Sequence, residues 1–454
     1  METQTWQPLS KKLAWSGGSL SAGLTGQVVG AYVLLFYVDR AGLPLSYFNI
    51  AMIIWAIWNA INDPLFGYLS DRTKTRWGRR IPYILFLSLP YAISFAFVWS
   101  IPGAAAGNPL LLFLYLVGIL FVYDTLFTVV VLNWTALYPE MYPSLRERAQ
   151  VGAIRQVFGL VGTGVGLAVA PMLYGTVGWF KMGLIFAAVT AVGMYVSLLG
   201  SRERPETHGG EAVPLLPALK FTFLNRSFLT FVMVSFFAQL CFGVMLAVMP
   251  LYAQYVLGTS DAQLSLLWAA VFGAALLMFF FWPAVIRKLA PRRSVMLATV
   301  LFALGLVPFL FIGTLRSAFI AMPFLGLGLA GLLMLIDILI SDVIDEDQLR
   351  TGTRREGMYF GVNGFVIRLS IAVQNLVISV ILASAGFIEG QAGGVQPATV
   401  IPALRVLMTW VPWVALALAL VAAYLHKLDG PRLEEVKRRL GELQRTEASV
   451  RTRP

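Results

Sequence analysis

The sequence predicts an all-α integral membrane protein with about twelve transmembrane helices in two six-helix bundles. The 454 residues are 58% hydrophobic and only 13% charged, whereas soluble domains carry roughly a quarter charged residues. Apolar runs long enough to cross a bilayer recur about twelve times. We expect spans near residues 15–38, 46–70, 81–101, 109–138, 148–175, 178–200, 226–256, 263–288, 294–314, 317–341, 356–386 and 399–425.

A polar stretch in the middle of the chain divides these spans six and six. Proline and glycine are frequent over 201–217, which is typical of a linker. We therefore predict an N-terminal bundle over 1–200, a cytoplasmic linker over 201–225 and a C-terminal bundle over 226–425. The basic tail, 426–454, has an apolar stripe of leucines and valine, which predicts either a helix on the anionic membrane surface or a solvated helix.

The net charge of +11 reflects membrane topology better than nucleic-acid binding, because the basic residues are spread over alternate loops and the tail. Loops retained in the cytoplasm are enriched in Lys and Arg. The loops rich in arginine are those after spans two, four, six, eight and ten, which predicts that both termini are cytoplasmic. We expect the protein to lie in a bacterial inner membrane. Its expected partners are a small-molecule substrate and the surrounding lipid bilayer, and we expect no nucleic acid.

Span two contains the most informative group of polar residues. Asn59, Asn62 and Asp63 are spaced three and four apart, so their side chains project from one face of a helix. Pro64 lacks an N–H, so the carbonyl of Ala60 loses its helical partner. A charged side chain within a span is costly and usually marks an ion or substrate path. Several oxygen ligands on one face suit a small hard cation.

The run from Trp58 to Pro64, followed by Gly67, Asp71 to Thr73 and Arg76 to Arg80, resembles the glycoside–pentoside–hexuronide:cation symporters of the major facilitator superfamily. The resemblance implies the major facilitator fold, a monomer, and secondary transport by alternating access with Na⁺ or H⁺ as the coupling ion and no other cofactor. The same branch includes lysolipid transporters, so the resemblance leaves the substrate open.

The resemblance also implies the site residues. The cation candidates are Asn59, Asn62, Asp63 and Asp124. Because Asn59 stands where the family usually has an aspartate, both sodium binding and proton uptake at Asp63 stay open. The substrate candidates are Asp124, Arg155, Arg368 and Asn363. We expect Asp63, Asp124, Arg155 and Arg368 to line one central cavity, or to form static ion pairs.

A cytoplasmic gate is predicted from two charged loops. Basic residues after span two would pair with acids after span ten in one transport state and separate in the other, or would serve only to fix topology. The gate candidates are Asp71, Arg72, Arg76, Arg79, Arg80, Asp345, Glu346 and Asp347.

Three function classes fit the residues. A cation-coupled symporter of a sugar, glycoside or uronide is favoured, and a transporter of a lysolipid or other amphiphilic or anionic solute is the alternative. Gly23 stands where sugar-binding members carry an aspartate, which makes a galactoside substrate doubtful.

Two other function classes compete with a transporter. A non-transporting receptor or scaffold would be expected to lose its buried charges. A membrane enzyme is disfavoured because no catalytic cluster is evident, and no metal site is expected beyond a possible Na⁺. Asp337 is an additional acid in an apolar run, expected to be buried, either as a second cavity ligand or at the cytoplasmic end of its helix.

Overall fold

The computed structural model describes residues 7–73, 75–142, 145–203, 225–351, 356–391 and 393–451, and all regular structure in these ranges is helical. Twelve helices among them are long and apolar enough to cross a membrane, which confirms the predicted all-α membrane class. Of the predicted linker, residues 204–224 lie outside the described part. The helices are α1 (Leu9–Leu34, continued by a π-helical segment, Leu35–Arg40), α2 (Leu45–Arg72), α3 (Ile81–Val98), α4 (Pro109–Met141), α5 (Leu145–Val177), α6 (Trp179–Gly200), α7 (Arg226–Tyr255), α8 (Asp261–Met278), α9 (Trp282–Leu306), α10 (Leu315–Thr351), α11 (Glu356–Ser384), α12 (Val400–Met408), α13 (Trp410–Leu425) and α14 (Gly430–Arg451).

The boundary between spans eight and nine differs from the prediction. Helix α8 ends at Met278 instead of continuing to residue 288, and α9 begins at Trp282. Helix α9 is broken by a kink at Ala290, whose φ is 64° and ψ 161°. Pro291 follows, and the residue before a proline is disfavoured in the α conformation. The basic loop expected between the two spans is therefore this break inside α9.

Small residues let α1 pack closely against α5 and α6. A Cβ atom on Gly23 would lie 2.6 Å from the carbonyl oxygen of Gly159, and one on Gly162 would overlap the backbone of Leu20. Such contacts let helix backbones approach closely in a membrane. The glycine-rich run of α5 is thus a packing surface, and the position of Gly23 has no room for an aspartate.

The described chain forms two compact units. The first contains Met1–Gly210, Leu246–Phe272 and Asn375–Leu404, and the second contains Glu211–Met245, Gly273–Gln374 and Arg405–Pro454. Within the first unit, the end of α1 is held by the end of α7, because Asp39 accepts hydrogen bonds from the Tyr255 hydroxyl and, at 3.2 Å, from Gln254 Nε2. The Gly390 amide also donates to the Val38 carbonyl at 3.0 Å.

The C-terminal helix α14 packs on the protein, which corrects both predictions for the tail. The apolar stripe is buried, with Leu433, Val436 and Leu440 between 5% and 8% exposed, so it covers neither a membrane surface nor solvent. Residues 452–454 and the side chain of Leu443 lie outside the described part.

Two ion pairs fix α14 to α10. Arg432 Nη2 lies 2.5 Å from Glu346 Oε1, and Lys437 Nζ lies 3.2 Å from Asp342 Oδ1. Both acids are nearly inaccessible, whereas about half of each basic side chain is exposed. The tail therefore compensates two carboxylates that would be costly to bury alone.

Substituting Arg432→Gln together with Lys437→Gln is expected to lower the free energy of unfolding by roughly 1–2 kcal/mol, because two buried acids lose their partners while the exposed bases limit the loss. The matched control is Arg438→Gln with Arg439→Gln, whose side chains pair with Glu435 on the helix surface. That control should change stability by less than about 0.5 kcal/mol. Unfolding of the purified protein in detergent measures both, and equal losses would contradict the anchoring role.

His426, between α13 and α14, is buried with 1% exposure. Its Nδ1 lies 2.8 Å from the Thr230 hydroxyl. Burial lowers the pKa of His426 from 6.5 to about 4; Glu346 and Asp429 oppose this shift, and Arg292 and Arg432 add to it. The imidazole is therefore neutral in the folded protein at pH 7.

The neutral state of His426 makes stability depend on pH. Between pH 6.5 and about 4 the unfolded chain binds a proton at this residue that the folded chain does not. Its contribution is therefore present above pH 6.5 and is lost as the pH falls toward 4. The difference in unfolding free energy between wild type and His426→Asn should shrink over that range, as measured by denaturant unfolding at several pH values. A difference that stays constant with pH would contradict this assignment.

Candidate functional site

Helices α2 and α4 face each other along a polar and aromatic seam. The Trp58 ring stacks on Phe121 at 3.9 Å between centroids, and Trp58 Nε1 donates to Thr125 Oγ1 at 3.0 Å. Residues 121 and 125 are one helical turn apart, so a single tryptophan reaches both. This contact fixes the register of the two helices immediately beside the polar residues of α2.

Asp124 accepts amide donors from α2. Asn59 Nδ2 lies 2.6 Å from Asp124 Oδ1, and Asn62 Nδ2 lies 3.0 Å from Asp124 Oδ2. The same amide group of Asn62 also donates to the Asp124 backbone carbonyl at 3.1 Å. Asp124 is 2% exposed and Asn62 is fully buried. Hydrogen bonds to a carboxylate are strong when they are shielded from water, so the acid holds both carboxamides in one orientation.

This orientation leaves the side-chain carbonyl oxygen of Asn62, Oδ1, as an acceptor. Asn62 Oδ1 is buried and has no hydrogen-bond partner in the described part of the chain. The next residue, Asp63, is partly exposed and accepts a hydrogen bond from Thr128 Oγ1 at 3.2 Å. An uncompensated buried acceptor beside a carboxylate is an arrangement that attracts a cation or a proton donor.

The structure therefore brings together the four predicted cation candidates, which all lie on α2 and α4. The sequence analysis did not predict the contact between Thr128 and Asp63. The spacing of four residues between Thr128 and Asp124 was the available signal, because residues four apart lie on one helix face. The prediction also assigned Asp124 to both cation and substrate. Its near-complete burial and its two amide donors favour a positioning role.

The predicted substrate residues are divided between the two units. The guanidinium of Arg155 lies over the rings of Tyr138 and Trp134, at 5.5 and 5.9 Å from the centroids. Asn363 on α11 is 8% exposed, and its Oδ1 has no hydrogen-bond partner within the described residues. Arg368, one turn further along α11, belongs to the second unit, whereas Arg155 and the α2–α4 cluster belong to the first. A single cavity lined by all of them stays a prediction.

Asp337 differs from the prediction. We expected a buried acid, but its side chain is exposed on α10. Because lipid-exposed carboxylates are rare within spans, this exposure favours contact with an aqueous cavity, and its role stays unassigned.

Two arginines of the predicted gate, Arg79 and Arg80, have partners within the first unit. Arg79 Nη2 and Arg80 Nη2 lie 2.6 and 3.0 Å from Glu140 Oε1. The backbone amides of the same two arginines donate to the Glu203 carboxylate at 2.9 and 3.0 Å. Gly78 makes this possible, because its φ is 103° and a Cβ atom there would overlap Glu203.

The sequence analysis did not identify Glu203 as a partner of this loop, since it lies at the start of the linker, far away along the chain. In the second unit, Glu346 is paired with Arg432. The side chain of Asp71 lies outside the described residues. Pairing of Arg72, Arg76, Arg79 and Arg80 with Asp345, Glu346 and Asp347 stays a prediction.

Comparisons with known proteins identify the family. Residues 15–430 match the family described as MFS/sugar transport protein. The chain is 23% identical to the isoprimeverose transporter of Lactiplantibacillus pentosus, with 93% of this chain and 89% of that protein covered. It is also 23% identical to the sodium-dependent lysophosphatidylcholine symporter 1 of Gallus gallus, with 95% and 89% covered.

A solved structure supports the fold. The crystal structure of a D-xylose-proton symporter superposes with a TM-score of 0.68 at 15% sequence identity, covering 94% of this chain and 98% of that one. The resemblance based on span two is thereby confirmed, as is the major facilitator fold. The chain belongs to the MFS/sugar transport protein family: it is a multi-pass membrane symporter of a small solute and not an enzyme.

Proposed function

We propose that the protein couples transport of a sugar, glycoside or uronide to a monovalent cation, Na⁺ or H⁺, that binds at Asp63. The observation that carries this proposal is the buried carbonyl oxygen of Asn62, which has no hydrogen-bond partner among the residues that the structure describes, beside the partly exposed carboxylate of Asp63. Alternating access then exposes the loaded site to each side of the membrane in turn.

One carboxylate with neutral oxygens suits a monovalent cation. Asp63 supplies the only formal charge that we assign to the site, and Asn59 and Asn62 supply carboxamide oxygens. Affinity for hard cations rises with ligand charge, so a site of this composition favours weak, reversible binding. Reversible binding is what a coupling ion requires, because the ion must leave on the other side.

Asp124 acts in this proposal through the two asparagines. By accepting their N–H groups at 2.6 and 3.0 Å, it turns their carbonyl oxygens away from itself. The Asn62 oxygen, which has no hydrogen-bond partner among the described residues, then remains available for the cation. Asp124 is in this sense a positioning residue.

The substrate proposal rests on the relatives and on the arginines. The alignment with the isoprimeverose transporter covers 93% of this chain, which supports a sugar-like solute. Arg155, held over two aromatic rings, and Arg368 suit the carboxylate of a uronide. A lysolipid is the second candidate, because the Gallus gallus relative is named for lysophosphatidylcholine.

We further propose that the protein is a monomer in a bacterial inner membrane with both termini in the cytoplasm. The orientation is supported by the excess of arginine and lysine in alternate loops, including the break in α9 and the loop between α2 and α3, whereas the monomer and the bacterial membrane rest on the family resemblance alone.

Asp63→Asn is expected to abolish cation-driven accumulation while leaving exchange of solute across the membrane measurable, because the variant keeps a polar side chain but loses the charge that binds the cation. Uptake into proteoliposomes measures both activities, with isoprimeverose, glucuronate and lysophosphatidylcholine as solutes and with imposed Na⁺ or pH gradients. Glu435→Gln, an exposed acid on α14, is the matched control and should transport like wild type.

The gradients and solutes separate the outcomes. Accumulation driven by Na⁺ identifies a sodium site, and accumulation driven only by pH identifies Asp63 as a proton carrier. Accumulation of lysophosphatidylcholine alone would replace the sugar proposal with the lysolipid one. Undiminished cation-driven accumulation by Asp63→Asn would contradict the coupling site.

A further inference from the structure

The second unit has an apolar groove between α9 and α13 that the transport site does not use. Its volume is about 390 Å³, and Thr299, Val300, Leu304, Trp413 and Leu420 are among the residues that line it. Val300 and Leu304 are 39% and 59% exposed. Both helices belong to stretches that are long and apolar enough to span a membrane, so the exposed apolar side chains of the groove suit the hydrocarbon of a bilayer.

The wall of the groove offers hydrocarbon contacts with few polar groups. Trp413 Nε1 donates to the Ala303 carbonyl at 2.9 Å, so the indole N–H is already satisfied and the ring is left as an apolar surface. Thr299 Oγ1 donates to the Val295 carbonyl at 2.8 Å within its own helix. A saturated or unsaturated acyl chain matches this lining, whereas a polar solute would lose its hydrogen bonds there.

One end of the groove is basic. Arg292 Nε donates to the Ala423 carbonyl at 3.2 Å, and Arg292 Nη2 donates to the Tyr424 carbonyl. The guanidinium also lies 5.3 Å from the centroid of the Tyr424 ring. Arg293 follows Arg292 in the chain, and Lys427 follows Tyr424 by three residues. Both side chains are exposed. Glu346 and Asp429 are the carboxylates that act on His426 beside Arg292. Glu346 is paired with Arg432, so with Arg292, Arg293 and Lys427 the charge balance at this end remains positive.

The spacing of the two regions fits one lipid molecule. Val300 lies eight residues from Arg292 in the second arm of α9, and Val307 lies fifteen residues away. At 1.5 Å per residue these separations are about 12 Å and about 22 Å along the helix. A head group at Arg292 therefore places its acyl chain alongside the groove. Basic pockets between transmembrane helices bind anionic lipid head groups in this way.

We propose that the groove binds an anionic phospholipid, with one acyl chain against α9 and α13 and the phosphate at Arg292, Arg293 and Lys427. The site lies within the second unit and is independent of the coupling cation. Bound lipid would hold α9 against α13 at the break in α9.

The test compares lipids on the purified full-length protein by native mass spectrometry and thermal shift. Dioleoyl phosphatidylglycerol should be retained about tenfold more tightly than dioleoyl phosphatidylcholine, a difference of about 1.4 kcal/mol, and should raise the melting temperature. Glycerol 1-phosphate, which has the head group without acyl chains, should not bind measurably.

Two sets of variants separate the head-group end from the groove. Arg293→Gln with Lys427→Gln should reduce phosphatidylglycerol retention to the level of phosphatidylcholine, whereas Arg226→Gln with Arg316→Gln, two exposed arginines elsewhere, should not. Leu304→Trp, at an exposed position, should fill the groove and weaken both lipids. Its matched control is Leu266→Trp on α8, at a position of similar exposure, 56%.

Three results would overturn the proposal. Equal retention of the two lipids by wild type would remove the anionic preference. Unchanged retention in both the Arg293/Lys427 and the Leu304 variants would place the lipid elsewhere. Binding of glycerol 1-phosphate as tight as that of phosphatidylglycerol would identify a site for free phosphate esters instead.

Discussion

The burial of Asp124 imposes the arrangement of α2 on which the rest of the site depends. A carboxylate with 2% exposure in a membrane span must find donors within the protein. Asn59 and Asn62 provide them, and Trp58 fixes the register beside them through Phe121 and Thr125. Satisfying one buried acid therefore sets the orientation of the oxygens next to Asp63. An asparagine at residue 59 fits this arrangement, since it donates to Asp124, whereas a carboxylate at that distance would repel it.

The same requirement explains the charged residues at the ends of the spans. Glu140 and Glu203 hold the arginines that follow α2, and Glu346 and Asp342 hold the tail helix. Each acid is largely buried, so each pair exists because the acid alone would be costly. Acids that are compensated locally in one conformation can exchange partners in another, and such exchange is the kind of event that alternating access requires.

The sequence predicted the fold well and the contacts between helices poorly, and the roles of the site residues stay predictions. Apolar run length gives the spans because backbone groups in a bilayer must be satisfied within helices, and the polar face of α2 follows from helical periodicity. The donor pattern around Asp124 does not follow, since periodicity on one helix says nothing about the register of the next. The role of Gly23 was equally hidden, because only the approach of α5 reveals that no side chain fits there. The tail was misjudged because an amphipathic stripe does not tell which apolar surface covers it.

The most direct test of the account is the cation dependence of stability in Asp124→Asn. A carboxamide at this position accepts at one atom only, so one of the two asparagines must rotate and its carbonyl oxygen must leave the site. The account predicts that the Na⁺ or proton concentration giving half-maximal thermal stabilisation rises about tenfold or more relative to wild type, although Asp63 is intact, while solute binding at saturating cation changes little. An unchanged cation requirement together with weakened solute binding would contradict it, because Asp124 would then contact the solute instead of positioning the cation ligands.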